Sequence, residues 1–260
     1  MTIHVLADDV ISKIAAGEVI ERPSSVVKEL IENAIDAAAS EIRIRIDGAG
    51  KRLIEISDDG CGIANEELRF AVTRHATSKL RVADDLFRLG TLGFRGEALA
   101  SAASVSRLTI VSRTASESVG SRIQVDGARL VSQQPAAATR GTTVRVEDLF
   151  YNVPARLKFL KSDRTELSQI STLITRYALA YPQIRWELTV EGRTQLQSAG
   201  NGETREILSA VYDLDIAKRL IEIEEERDGI AVSGYISPIA LTRSNRREIN
   251  FFVNGRWIQD

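Results

Sequence analysis

The chain has 260 residues, 43% of them hydrophobic and 27% charged, and its formal net charge is −2. Such a globular composition suits one large domain, or one domain and part of another. The slightly negative charge argues against nucleic-acid binding driven by bulk charge, although a local basic patch remains compatible with it. A single cysteine, Cys61, favours a reducing compartment. With neither a long apolar run nor a signal-peptide pattern, the sequence predicts a soluble, cytoplasmic protein that does not enter a membrane.

The first 150 residues predict helices and half-buried strands separated by turns. Helical spacing over 8–20 is broken by Pro23, and a second helix follows in VVKELIENAIDAAAS, residues 26–40. The alternation of Ile with charge over 41–47 and 53–57 predicts a strand pair around the turn GAGKR. The other predictions are helices at 65–76 and after the glycines of 90–96, strands at 107–113, 121–126 and 141–149, and a loop at 133–141.

The second half predicts two helices and several further strands. The predicted helices are 164–181 and 203–212, and the predicted strands are 184–192, 193–199, 219–226, 229–237 and a hairpin within 247–260. Asn254-Gly255 is the turn signal of that hairpin. A domain boundary is predicted near 199–203, so that residues 1–200 form one domain and 201–260 begin a second, unfinished one. The whole pattern predicts an α+β fold in which consecutive strands pair antiparallel.

The helix at 26–40 has an unusual polar face. Glu29, Glu32, Asn33 and Asp36 project within about 100° of one another, opposite an apolar side. Like charges three and four positions apart repel on a helix surface, and only Lys28 is near enough in sequence to offset them. This face is either part of a site or a solvated acidic edge.

A second candidate is LIEISDDGCGI, in which a strand ends in a carboxylate. Period-two alternation places Asp58 on the same face as Ile54 and Ile56, where a charge needs hydrogen-bond donors. The glycines Gly60 and Gly62 let the backbone turn and approach a flat ligand closely. A plain surface turn is the alternative, because Asp-Gly is common turn chemistry.

Two glycine-containing segments complete the set of candidates. In TLGFRGEALAS, glycines precede a helix that begins near Glu97, and their N–H groups suit phosphate oxygens, with charge from Lys79 and Arg95. The segment matches neither a Walker nor a Rossmann pattern, so a surface loop stays open. The Gly-Thr-Thr of 141–143 offers hydroxyls to a ligand or simply begins a strand. His4 and His75 lack partners at metal-ligand spacing, and Cys61 suits packing rather than nucleophilic catalysis.

In this order, the motifs resemble the ATPase superfamily of gyrase B, the large heat-shock chaperone, histidine kinases and MutL. The segments IAAGEVIERPSSVVKELIENAIDA, DDGCGI, RHATSK, LGFRGEALAS and LFYNVPAR resemble the MutL family of mismatch-repair ATPases. The resemblance implies a Bergerat-type ATP-binding α/β sandwich, whose mixed, largely antiparallel sheet is backed by helices. That domain would carry an N-terminal arm and a lid at about 74–100. A second, ribosomal-S5-like α/β domain would begin after it.

The resemblance also implies residue roles. Glu29 matches the general base that deprotonates the attacking water, and Asn33 matches the Mg²⁺ ligand. Asp58 matches the carboxylate that accepts the exocyclic amine of adenine, with Gly60 and Gly62 as the glycines beside the base. The other residues implied to bind ATP are Ala37, Thr77, Ser78, Lys79, Leu92, Gly93, Phe94, Arg95, Gly96, Glu97 and Thr143, the last through its hydroxyl near Asp58.

The function implied by the resemblance is that of a MutL N-terminal ATPase region. Mg²⁺-dependent ATP binding and hydrolysis would switch homodimerisation and coupling to the mismatch-recognition protein MutS, with weak, non-specific DNA contact. Residues Arg243, Arg246, Arg247 and Arg256 form a local basic cluster or a solvated edge. The alternative is a nucleotide-binding scaffold with little turnover, because the family's γ-phosphate lysine would lie beyond 260. Family members often carry Asn at the place of Asp59 and Gly at the place of Ala38.

Overall fold

A computed structural model describes residues 16–17, 19–77, 79, 91–93, 96–242 and 248–258 of the chain. Its centre is an eight-stranded sheet with the strand order β5-β4-β3-β6-β2-β1-β7-β8. Its strands are β1 Glu41–Asp47, β2 Leu53–Asp58, β3 Arg107–Arg113, β4 Gly120–Asp126, β5 Arg129–Ala136, β6 Gly141–Glu147, β7 Arg185–Val190 and β8 Arg193–Gln197. All neighbours pair antiparallel except β1 and β7, which are parallel. The predicted α+β class and the mixed, largely antiparallel sheet are confirmed.

Seven α-helices and two further hairpins are seen among the described residues. The helices are α1 Pro23–Asp36, α2 Leu68–Ala71, α3 Ala98–Ser104, α4 Pro154–Phe159, α5 Asp163–Ala180, α6 Thr204–Tyr212 and α7 Leu214–Arg219. The hairpins are β9 Ile221–Arg227 with β10 Ile230–Ile236, and β11 Phe251–Val253 with β12 Arg256–Ile258. Asn254 and Gly255 turn the last hairpin with φ of 49° and 76°, as their dipeptide predicts. In the described part of the chain, no helix is long and apolar enough to cross a membrane.

The core lies between the sheet and two helices. In β1 the isoleucines are buried and the arginines exposed, as the alternation predicts. Helix α1 packs on β2 and α5, burying Val27 and Ile31 completely. Each such side chain contributes about 1.5–3 kcal/mol of burial free energy. This packing fixes the polar face of α1 relative to the end of β2.

Helix α1 is bounded by residues that favour its start and its end. Arg22 is extended and Pro23 occupies the first helical turn, so the helix starts three residues before the predicted 26. It ends at Asp36 rather than at 40, because Ala38 adopts a left-handed φ of 56°. That conformation favours glycine, so Ala38 is strained at this position.

Four stretches differ from the sequence-based expectation. The helix predicted at 65–76 is reduced to α2, followed by the β-branched Val72 and by Thr73, whose hydroxyl donates to the carbonyl of Arg69. The predicted loop at 133–141 was partly wrong, because β5 continues to Ala136. Its proline, Pro135, is tolerated because β5 is an edge strand. Helices α4 and α7 were not predicted.

Candidate functional site

The polar face of α1 lines one cavity, of about 1370 Å³, which we call the α1 cavity. Strands β2 and β6, the ends of the predicted lid and the β11–β12 hairpin line its other sides. The predicted site residues among its walls are Glu29, Asn33, Ala37, Asp58, Gly62, Thr77, Lys79, Leu92, Gly93, Gly96 and Glu97. Segments far apart in sequence therefore meet at one place, as the resemblance implies.

Thr143 is not among the described residues that line the α1 cavity. Its hydroxyl is hydrogen-bonded to that of Ser57 at 2.8 Å, on the opposite face of the sheet from Asp58. The residue paired with Asp58 is Thr142, which does line the cavity. Period-two alternation with the buried Val144 would have identified Thr142 from the sequence. Predicted residues Ser78, Phe94 and Arg95 lie outside the described residues.

Asp58 closes the cavity end of β2. Its Oδ1 accepts a hydrogen bond from the N–H of Gly60 at 2.9 Å. Burial raises its pKa to about 6, although the N–H groups of Gly60 and Thr142 act in the opposite direction. A carboxylate that is partly desolvated and still has acceptor capacity at a cavity wall is suited to a ligand that donates a hydrogen bond.

Both predicted glycines are required by close backbone approaches. A Cβ on Gly60 would lie 2.7 Å from the carbonyl oxygen of Ala37. At Gly62, where φ is 76°, a Cβ would lie 2.3 Å from the carbonyl oxygen of Arg113. Gly60 allows the turn after β2 to pack on the end of α1. There the carbonyl oxygen of Ala37 also accepts a hydrogen bond from the N–H of Cys61 at 3.0 Å. These contacts fix Asp58 relative to α1.

Glu32 and Asp36 are not a solvated acidic edge, so that alternative is wrong for both. Glu32 is 7% exposed; its carboxylate accepts hydrogen bonds from the hydroxyl of Tyr177 at 2.6 Å and from Lys28 at 3.0 Å. The pKa of the Tyr177 hydroxyl is raised, mainly by burial and also by the neighbouring negative charge of Glu32. Lys28 also reaches Glu29 at 3.3 Å, and so lies between two of the acidic residues.

Asp36 and Asn33 share a partner from the predicted lid. The ammonium of Lys79 donates to Asn33 Oδ1 at 3.0 Å and to Asp36 Oδ2 at 2.5 Å. Asp36 also accepts the N–H groups of Leu92 at 2.8 Å and Gly93 at 3.1 Å. The predicted metal ligand thus already lies beside a cation, and two N–H groups predicted to meet phosphates are directed at a carboxylate.

The donor set fits a magnesium ion that is carried by phosphates rather than caged by protein. Among the described residues, no group of three or more His, Cys, Asp or Glu side chains is placed to hold a metal. Magnesium bound to a nucleotide typically takes one or two protein oxygens and fills its remaining positions with phosphate and water. Asn33 supplies one amide oxygen of this kind at the cavity wall, which in this structure accepts a hydrogen bond from the ammonium of Lys79.

Three other sequence candidates have mixed outcomes. His75 is 79% exposed and lies 3.1 Å from the carboxylate of Glu97. Cys61 is an exposed thiol at the wall of the α1 cavity, so it is not a packing residue. Arg256 also lines the cavity and donates to the carbonyl of Thr91 at 2.7 Å. Candidates outside the described residues are His4, Arg243, Arg246 and Arg247.

Two known protein families match different parts of the chain. Residues 20–149 match the family described as histidine kinase-, DNA gyrase B-, and HSP90-like ATPase. Residues 208–260 match the family described as DNA mismatch repair protein, C-terminal domain. The first match contains α1, Asp58 and the described lid residues, and the second contains the β11–β12 hairpin.

Individual relatives are similar over nearly the whole chain. The DNA mismatch repair protein MutL of Lactococcus lactis subsp. cremoris is 47% identical over 249 residues, which is 96% of this chain and 38% of that protein. The MutL protein of Shouchella clausii is 47% identical over 258 residues, or 99% of this chain and 39% of its own length. The chain thus spans about two fifths of the length of these relatives.

Solved structures agree with these similarities. The Aquifex aeolicus MutL ATPase domain complexed with ADP is 32% identical, with a TM-score of 0.74 over 93% of this chain and 85% of that one. The N-terminal domain of a DNA repair protein, 28% identical, aligns with a TM-score of 0.81 over 96% of this chain and 78% of that one. This chain therefore belongs to the MutL family of DNA mismatch-repair proteins and contains the ATPase domain of that family.

Proposed function

We propose that the α1 cavity binds ATP with Mg²⁺ and hydrolyses it. The observation that carries this proposal is that two kinds of group line one cavity. The half-buried carboxylate of Asp58 lies at one wall, and Glu29 and Asn33 lie on α1. The first suits a base that donates a hydrogen bond, and the second suits a hydrated metal and a reacting water. Complex formation of the Aquifex aeolicus relative with ADP supports the same assignment.

The adenine end of the nucleotide is assigned to Asp58. Its ionised carboxylate accepts a hydrogen bond from the exocyclic amine, while Gly60 and Gly62 keep side chains away from the adjoining turn. The hydroxyl role that the resemblance gave to Thr143 passes to Thr142, because Thr142 pairs with Asp58 and lines the cavity.

The reacting end is assigned to α1. Glu29, whose side chain is 29% exposed, orients a water and takes its proton. Asn33 would hold Mg²⁺ through Oδ1, and the ion would supply charge neutralisation to the phosphates. Lys79, already beside Asn33, adds a second positive charge. Gly96 and Glu97, at the start of α3, would offer backbone N–H groups to phosphate oxygens.

The wider role follows from the family and remains part of the proposal. ATP binding and hydrolysis switch the association of two copies and the coupling to MutS and other repair proteins, with weak DNA contact. Residues 1–200 form the ATP-binding domain, and 201–260 begin a second one. Support for that division comes from the sheet, which ends at Gln197 and is followed by two separate hairpins. The cytoplasmic location stays a prediction.

The proposal is tested by calorimetry and steady-state turnover with ATP, in the presence and absence of Mg²⁺. We expect Mg²⁺-dependent binding and measurable hydrolysis, with turnover reduced at least about 100-fold in Glu29→Gln while binding is retained. Equal loss of binding and turnover in that variant would make Glu29 a structural residue. Wild-type binding with no turnover above a blank would favour the scaffold alternative.

A further inference from the structure

Asp36 is one of two acidic residues of α1, with Glu32, to which the family resemblance assigns no role. Its side chain is 6% exposed, which is costly for a carboxylate unless it is well paired. The structure supplies three donors: the ammonium of Lys79 and the N–H groups of Leu92 and Gly93. Both carboxylate oxygens are used, Oδ1 by Leu92 and Oδ2 by the other two.

These donors come from both edges of the predicted lid. Lys79 lies near its first edge and Leu92 and Gly93 near its second, so Asp36 joins segments that are 13 to 14 positions apart. A side chain at position 93 would have little room, since a Cβ on Gly93 would lie 3.3 Å from the Lys79 ammonium. One carboxylate at the end of a rigid helix therefore sets the separation of two lid segments.

The segment Thr91–Gly93 is also held by contacts other than those with Asp36. The hydroxyl of Thr91 donates to the carbonyl of Gly93 at 2.8 Å, which closes a tight local turn. The guanidinium of Arg256, on β12, donates to the carbonyl of Thr91 at 2.7 Å. The N–H groups of this segment are thus directed towards α1, while one carbonyl is directed towards the last hairpin.

We propose that Asp36 is a positioning residue for nucleotide binding: it ties the Leu92–Gly93 backbone and Lys79 to α1, so that the Lys79 ammonium lies beside Asn33. The inference rests on the proposed function, since it matters for ATP only if the α1 cavity binds ATP. Asp36 acts through Lys79 and the lid backbone, and not on the reacting atoms.

Removing the charge of Asp36 should loosen the lid without affecting the base. In Asp36→Asn, the single amide oxygen cannot accept all three donors, and the NH₂ group would face at least one of them. We expect hydrogen exchange of the Leu92 and Gly93 amides, measured without nucleotide, to quicken at least about tenfold. For ATP turnover we expect KM to rise about tenfold, kcat to change less than about threefold, and the pH profile of kcat to stay unchanged.

The matched control is Glu32→Gln, which removes a negative charge one turn away on the same face of α1. Glu32 is bonded to Tyr177 and Lys28, and so its loss should leave the exchange of the Leu92 and Gly93 amides unchanged. Asp36→Glu keeps the charge and should recover part of the protection. A thermal melt within a few degrees of wild type shows that Asp36→Asn is folded. If it is not, Asp36→Glu provides the test, because lengthening the side chain displaces the carboxylate and should still quicken exchange of the two amides relative to wild type.

Two results would overturn the proposal. Unchanged exchange of the two amides in a folded Asp36→Asn protein would show that Asp36 does not hold the lid. Tighter ATP binding in that variant would show that Asp36 competes with phosphate rather than positioning its ligands. Failure of the wild-type protein to bind ATP would instead refute the proposed function, while the exchange measurement would still report on Asp36.

Discussion

The carboxylate of Asp58 is costly to the folded chain, and in the proposed function it binds the nucleotide. Burial raises its pKa from 3.8 to about 6, against the effect of two backbone N–H donors. A shift of about two units corresponds to about 3 kcal/mol between the two protonation states, at ~1.36 kcal/mol per unit. Because solvent still reaches part of this side chain, 3 kcal/mol is an upper limit.

The direction of the pH dependence follows from the raised pKa. Below about pH 4 the carboxyl is protonated in both states and costs the folded chain nothing. Between about pH 4 and pH 6 the unfolded chain releases this proton more readily, so the free energy of unfolding falls as the pH rises. Above about pH 6 the loss is complete and constant.

Asp58→Asn removes the charge and keeps the shape of the side chain. The amide has one acceptor oxygen for the N–H groups of Gly60 and Thr142, so about 1 kcal/mol is lost at every pH. The variant without nucleotide should therefore be up to about 2 kcal/mol more stable than wild type at pH 7.5, and no more stable at pH 4. Urea unfolding of both proteins at the two pH values measures this difference.

The same substitution should weaken nucleotide binding. Replacing a charge-assisted hydrogen bond by a neutral one should cost about tenfold in ATP affinity, and an amide turned to donate to guanine should shrink the preference for ATP over GTP. Wild-type affinity should also fall relative to the variant below pH 6, because the carboxyl must lose its proton to accept the adenine amine. Because both proteins bind the same ATP, the ratio of wild-type to variant affinity is independent of the titration of the phosphates.

Asp59→Asn is the matched control, since the carboxylate of Asp59 accepts hydrogen bonds from Ser40 and Glu41. Calorimetry at pH 5 and pH 7.5 should find its ATP affinity equal to that of wild type. Two results would refute the reasoning on Asp58: a stability difference between Asp58→Asn and wild type that does not change with pH, or an unchanged ratio of ATP affinities.

Three further sets of substitutions test other parts of the structure. Ala38→Gly should raise the free energy of unfolding by about 1 kcal/mol, because φ is 56° at this position; a loss of stability in urea unfolding would contradict this. Asp59→Ala should cost about 1–3 kcal/mol and Asp59→Asn less. Burial acts to raise the pKa of Asp59, but hydrogen bonds from Ser40 outweigh it and lower that pKa. The contribution of Asp59 to the free energy of unfolding is therefore present above about pH 4 and should vanish as the pH falls through the lowered pKa. Thr142→Val should weaken ATP binding measured by calorimetry, whereas Thr143→Val, one residue along the strand, should alter stability alone; equal effects on binding would show that the strand faces are wrongly assigned.

Local patterns predicted most strands because each strand buries one face. The alternation of 41–47 and 107–113 gives the bounds of β1 and β3 as observed, and 121–126 differs from β4 by one residue. Strand β5 was missed because it lies at the edge of the sheet with one neighbour, so that its residues are largely exposed and lack a buried period-two pattern. Short helices such as α4 and α7 have too few turns to show periodicity.

The sequence predicted those site residues whose position depends only on the periodicity of their own helix or strand. Strand alternation placed Asp58 on the buried face, and the helical repeat placed Glu29 and Asn33 together on α1. The partners of Glu32 and Asp36 were not predictable, because Tyr177 lies 145 positions from Glu32 and Leu92 lies 56 positions from Asp36. Only the packing of α5 and the lid against α1 brings these donors near.

The partners of the three carboxylates on α1 also indicate which of them can act as a base. Asp36 and Glu32 have side chains 6% and 9% exposed, and each is fixed by donors from other elements. Glu29 is 29% exposed, and its ion pair is with the adjacent, half-exposed Lys28 at 3.3 Å. A general base must exchange a proton with water, so it needs solvent contact and a lone pair that no fixed donor occupies. Burial therefore distinguishes the three carboxylates: Asp36 and Glu32 are bonded to other elements, whereas Glu29 is left with the solvent contact that the proposed general base requires.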